Sequence, residues 1–250
     1  MIENTPSYDL KAERKREKKV VDQAVKIAQP LLSKSHLLNT EFPIDQQDVQ
    51  IVQQVLQTVF PIDSQNYKVH DHLQLAAEFG GILAQKIGLN PNEIKVLMLS
   101  HDDGRFITHR WFRNELLAGS MFNKLNIRPD LIQKANIPMA KPDQSVDDFL
   151  KNISDDQKVM IMADICGKRK YDDGGILTFD EVMAYHLTQR KREKQDSFEN
   201  KKDTFPSQRK TSDEFIEFYA EVYKSIKNWF NHKGIDVETI RQDILINNHK

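Results

Sequence analysis

The chain has 250 residues, of which 39% are hydrophobic, with 36 basic and 37 acidic side chains; this is enough apolar material to bury one sizeable core and fold as one domain over residues 1–250. A formal net charge of -1 argues against a dedicated nucleic-acid binder, although the Lys/Arg clusters near both ends allow a local basic patch. Cys166 is the single cysteine, which excludes an internal disulfide and a thiolate zinc cluster, so any metal must be held by histidines and carboxylates.

No stretch approaches the roughly 18–20 consecutive apolar residues of a membrane helix. The opening residues MIENTPSYDLKAERKREKKV lack the apolar centre of a secretory signal, so the expected location is cytoplasmic. Apolar residues recur at three and four throughout, which predicts an all-α fold, a compact multi-helix bundle. Asp45 caps a helix whose inner face is Ile51, Val52, Val55, Leu56, Val59 and Phe60, and Pro61 closes it. A second helix starts near Tyr67, aligns His72, Leu75, Ala76, Phe79 and Leu83 on one side, and ends at Gly88. The run NPNE then offers Asn90 as cap, Pro91 at the first helical position and Glu93 at the third. That third helix runs into SHDDGR, where Gly104 suits a left-handed exit.

Trp111 to Leu125 reads as a helix, SVDDFLKNI as a short one, and SDDQKVMIMADICGKRK as a longer one with Ser154 and Gln157 as a capping pair. Thr178 and Glu181 form a similar pair. The overlapping segment DDGGILTFDE fails the calcium-loop ligand spacing. Residues 190–210 are charged, almost free of aliphatics and interrupted by Pro206, as in a loop or linker. Residues 211–250 supply C-terminal helices with a stripe of Phe215, Phe218, Tyr219, Val222, Tyr223, Ile226, Trp229 and Phe230, which can close the core or form a homodimer.

A His-Asp dipeptide carries little by itself, since 8 histidines among 37 acidic residues in 250 positions make one expected by chance, and His70-Asp71 is another. A plain reading of His101 is an imidazole at the negative end of a helix macrodipole. The balance changes with two further polar residues on apolar faces: His72, and Asp164 inside VMIMADIC. A carboxylate so enclosed is costly unless it is paired or bound to a cation. Potential ligands on three helices, in a chain with no thiolate cluster, make a shared metal the economical explanation.

The order His72, His101-Asp102, Asp164 resembles the HD-domain superfamily of metal-dependent phosphohydrolases. The segment HLQLAAEFGGILAQKIGLNPNEIKVLMLSHDDGR is similar to that family's first ligand helix, turn and second ligand helix, and VMIMADICGK to its last-aspartate helix, so the HD-like core covers residues 67–170. His70 competes with His72 as first ligand. The small residues Ala76 and Ala77 follow His72 at four and five places, as the family's helix packing implies, whereas His70 has Gln74 there. His109 is the one histidine between Asp102 and Asp164, so the added histidines of the family's binuclear branches are missing and one metal per chain is expected.

The resemblance implies hydrolysis of a phosphoester in a nucleotide or small phosphorylated metabolite. Two imidazoles and two carboxylates suit a divalent transition metal, Mn, Fe, Co, Ni or Zn, more than calcium. Lys168, one turn after Asp164, and Arg105 are candidates to face a phosphate; Asp103 can position water or cap the turn; His109 can bind substrate or donate a proton; Arg110 and Arg113 add positive charge. A different class of function stays open: a degenerate HD module that binds nucleotide or metal and regulates a partner.

Overall fold

Helix boundaries follow the local polar chemistry. A computed structural model of the chain describes residues 10–64, 66–107, 121–138, 143–168, 178–185, 187–188 and 212–247. Among the described residues every regular element is helical, as the periodicity predicts. The periodicity does not single out helix α1 (Leu10–Leu32), whose first half is mostly charged and whose buried apolar stripe is Val21, Ala24, Ala28 and Leu32, nor the short helix Pro129–Ala135. Helix α2 (Gln46–Val59) begins in a reciprocal capping box: Asp45 accepts from the backbone N–H groups of Gln47 and Asp48, and the Asp48 carboxylate accepts from the Asp45 N–H.

Helix α3 (Tyr67–Lys86) ends before Gly88, as expected, and Gly88 takes the left-handed conformation at φ 81°. Helix α4 (Pro91–Ser100) starts on the Asn90 side chain, which accepts from the N–H groups of Asn92 and Glu93. Its end differs from the expectation. The chain leaves α4 through His101 in right-handed conformation and passes into a 3-10 turn, Asp103–Phe106, that contains Gly104. The Arg105 N–H donates to the Asp102 carbonyl at 2.9 Å within this turn, and Gly104 lies inside the 3-10 segment where a left-handed exit was expected.

Helices α5 (Pro129–Ala135), α6 (Val146–Asn152) and α7 (Asp155–Cys166) follow. The Ser154–Gln157 capping box opens α7 as expected. Residues 121–124, the end of the helix predicted from Trp111, are helical, and so are residues 179–185, whose start carries the reciprocal Thr178–Glu181 bonds. Helices α8 (Ser212–His232) and α9 (Val237–Asn247) are joined by a turn with Gly234 at φ 74°. The linker expected over residues 190–210 lies outside the described residues.

Helix α3 is the centre of the bundle. It packs on α4, α7 and α9, while α2 bridges α1 and α4, and α8 lies on α6 and α7. Gly80 allows three helices to converge: a Cβ there would stand 2.8 Å from Ile94 Cγ2 of α4 and 3.3 Å from Ala163 Cβ of α7. The aromatic stripe of α8 goes inward, burying Phe218, Val222, Ile226 and Phe230, with Phe218 edge-on to Phe149 at 5.6 Å between ring centres. Each such burial contributes roughly 1.5–3 kcal/mol, which fixes α8 on the core. No helix among the described residues is long and apolar enough to cross a membrane.

Candidate metal centre

Three contacts between helices place the polar side chains. His72 lies in the second turn of α3, on the face it shares with Ala76, Phe79 and Leu83. The end of α7 presses onto that face: a Cβ at Gly167 would sit 2.8 Å from both Cβ and the backbone nitrogen of Ala76. This approach brings the Gly167 carbonyl to 3.2 Å from His72 Nδ1. His101, at the end of α4, has its Nδ1 2.7 Å from the carbonyl of Met98. A carbonyl oxygen only accepts, so both Nδ1 atoms carry hydrogen and the neutral form of each imidazole turns a lone pair at Nε2 toward the space between the helices.

Two carboxylates occupy the other side of that space. His72 Nε2 lies 3.1 Å from Asp164 Oδ1 and 3.6 Å from Asp102 Oδ2. His101 Nε2 lies 3.3 Å and 3.7 Å from the same two oxygens. One ligand atom from each of His72, His101, Asp102 and Asp164 falls within 4.8 Å of the other three. Lone pairs facing carboxylates repel unless a cation lies between them. His72 Nε2 is in fact buried without a hydrogen bond, a cost of about 1–3 kcal/mol for a polar atom with no partner.

The spacing fits a metal. A cation roughly 2.0–2.1 Å from each ligand separates neighbouring ligand atoms by roughly 3.0–3.4 Å, against the 3.1 to 3.7 Å found between imidazole nitrogens and carboxylate oxygens. The carbonyl partners at Nδ1 are the outer contacts that fix tautomer and ring orientation in histidine metal sites. These four residues can therefore hold a metal ion, and a mixed nitrogen and oxygen set is the donor chemistry of first-row divalent metals.

The electrostatics keep both carboxylates charged. Burial pushes the Asp102 carboxyl upward, but the Arg105 guanidinium and His101 outweigh it and hold the group well below the ordinary carboxylate range. Asp164 is likewise raised by burial and brought well below by Lys168 and His101. Burial lowers His101, yet Asp102 and Asp164 raise it above the usual histidine value. Lys168 is lowered by its own burial, with Asp164 opposing.

Arg105 and Lys168, read from the sequence as candidates to face a phosphate, contact the carboxylates themselves. Arg105 Nε is 2.7 Å from Asp102 Oδ2, and the Lys168 ammonium is on Asp164 Oδ1. Their offsets of three and four residues from these aspartates were the signal for such pairing. Asp103 lies in the 3-10 turn and nothing is described of its side chain; His109, Arg110 and Arg113 lie outside the described residues.

His70 has a different job from His72. It is buried with Nε2 2.6 Å from the Phe60 carbonyl and its ring 4.7 Å from that of Phe106, so it ties α3 to the end of α2. A second His/Asp group, His36 with Asp45 and Asp48, escaped the sequence reading. Both Asp48 oxygens accept backbone N–H groups, from His36 at 2.8 Å and from Asp45 at 2.9 Å, and Asp45 caps α2, so helix capping accounts for this cluster. Arg241 was missed as well. It is buried on α9 and its guanidinium donates to the Lys168 carbonyl at 3.4 Å, fastening α9 to the exit of α7. Its signal was a charge among the apolar positions Val237, Ile244 and Leu245. In comparisons with family models, with curated proteins and with solved structures, nothing matches this chain.

Proposed function

We propose that the chain is an HD-type, metal-dependent phosphohydrolase that acts on a nucleotide or a small phosphorylated metabolite. The observation that supports this reading most is the convergence of two oriented imidazole Nε2 atoms and two carboxylates, Asp102 buried and Asp164 half-buried, from three helices. The resemblance of the ligand order to the HD superfamily supplies the reaction class. A divalent metal bound by His72, His101, Asp102 and Asp164 would polarise a phosphoryl oxygen and acidify a bound water toward pKa ~7.

The chain's own residues do the rest. The Gly167 and Met98 carbonyls hold the two imidazoles in one tautomer, and Ala76 and Gly167 set the spacing between α3 and α7. Among the described residues, Arg105 and Lys168 are the cations in contact with the two carboxylates, and they can counter phosphate charge. The near-zero net charge supports a small phosphorylated substrate over a nucleic acid.

The test is turnover of a generic aryl phosphate and a nucleotide panel with added manganese, cobalt or zinc, beside Asp164→Ala. Metal-dependent phosphate release that disappears in the variant is the expected result. Metal uptake without turnover across the panel would instead favour a binding module that regulates a partner.

A further inference from the structure

The same carboxylate oxygens are claimed twice. Asp102 Oδ2, which lies 3.6 and 3.7 Å from the two imidazole nitrogens, is also the oxygen that accepts from Arg105 Nε at 2.7 Å. Asp164 Oδ1, 3.1 and 3.3 Å from those nitrogens, is also the oxygen that the Lys168 ammonium contacts. We infer that a divalent metal exchanges with Arg105 and Lys168 at these oxygens, so that metal uptake turns both cations toward a phosphate dianion, and metal and dianion bind cooperatively.

This inference rests on the metal reading above and concerns the selectivity of that same site. Two carboxylates, one guanidinium and one ammonium are balanced in charge while the imidazoles are neutral. A divalent ion added among them leaves an excess of two positive charges at a buried site, where repulsion is poorly screened. A phosphate monoester or terminal phosphate, at about -1.5 to -2 near pH 7, restores the balance. A phosphodiester with one negative charge does not. Each cation sits on a long flexible stem; the Arg105 side chain is 34% exposed, and the Lys168 side chain 12%, with its ammonium also donating to the Asp164 carbonyl at 3.2 Å. The substrate class that follows is a phosphomonoester or the terminal phosphate of a nucleotide, not an internal diester.

The opposing account keeps Arg105 and Lys168 as fixed outer partners of the ligands, and it predicts the opposite sign. Loss of a fixed outer partner weakens metal binding by about 10–100-fold. Loss of a competing cation strengthens it.

Manganese binding to the full chain, stripped with a chelator, can be followed by the electron paramagnetic resonance of the free ion, alone and with inorganic phosphate or dimethyl phosphate. In the wild type, phosphate should tighten manganese binding by about fivefold or more, and dimethyl phosphate should not. Arg105→Gln and Lys168→Gln should each bind manganese several-fold more tightly than wild type without phosphate, and should lose most of the tightening by phosphate. Variants that bind manganese as weakly as wild type or more weakly, or a wild type indifferent to phosphate, overturn the exchange. Circular dichroism checks each fold, and if one variant is unfolded the other variant and the wild-type phosphate response still decide. A wild type that takes up no manganese overturns the metal reading itself, an outcome distinct from failure of the exchange alone.

Discussion

The carbonyl oxygen of Gly167 lies 3.2 Å from Nδ1 of His72, although the two residues are 95 positions apart in the chain. The contact exists because Gly167 has no side chain to hold α7 away from Ala76. Packing of two helices and orientation of one ligand are therefore a single feature, and changing it should disturb both.

Gly167→Ala should destabilise the protein by about 1–3 kcal/mol, since the added Cβ meets backbone that cannot swing aside, and it should also weaken metal binding. Gly88→Ala is the matching control. Gly88 is at φ 81° with nothing within 4 Å of an added Cβ, so the change should cost about 1–2 kcal/mol of backbone strain and leave metal affinity intact. Chemical denaturation and metal titration of both variants measure the two effects separately. Equal metal affinity in Gly167→Ala and wild type would break the link between helix approach and ligand orientation.

The two histidines of HDH should separate function from stability. His70→Ala removes a buried hydrogen bond to Phe60 and should cost about 1–3 kcal/mol while metal is retained. His72→Ala should lose the metal, with the helical circular dichroism largely preserved. The reverse pattern would make His70 the ligand.

His101 should give the chelated protein a distinctive pH response. It faces Asp102, Asp164 and His72, with Arg105 and Lys168 beside the carboxylates. Its pKa is raised above 6.5, so the stability contributed by the imidazolium is fully present below 6.5 and is lost as pH rises through the raised value. Asp102 and Asp164, held well below 3.8, contribute stability above that value and lose it as pH falls through their depressed range. Thermal unfolding in chelator should thus show stability declining on the alkaline side of 6.5, and metal affinity should rise over the same interval as the competing proton leaves. A flat profile in the His101→Gln variant assigns the response to this residue; an unchanged slope there contradicts it.

Cys166 supplies a probe independent of function. Its thiol is 1% exposed and burial pushes its pKa far up, so a thiol reagent should label it only as fast as the core opens. Labelling at the rate of a free thiol in the native protein would contradict the placement of α7.

Much of this arrangement was legible in the sequence because it depends on local chemistry. Asp45, Asn90 and the Ser154–Gln157 pair announce their helices through capping, and Asp164 stands out as a carboxylate in an apolar run. Long-range geometry was harder to read. The role of Gly167 depends on Ala76, 91 positions away, and nothing in CGKR marks a glycine that touches another helix. Gly104 misled for the same reason: glycine permits a left-handed exit without requiring one, and here it lies inside a 3-10 turn, Asp103–Phe106. Arg105 and Lys168 were recognisable as cations near the candidate ligands, but only the fold shows that they contact the carboxylate oxygens of Asp102 and Asp164 themselves.

The central claim is that His72, His101, Asp102 and Asp164 bind one metal ion. Elemental analysis of the purified, untagged protein beside Asp102→Ala tests it most directly. About one first-row transition metal per chain, lost in the variant while the helical signal persists, is the predicted result. No metal in either protein, even after incubation with manganese or cobalt, would contradict it and leave SHDDGR as the end of a helix.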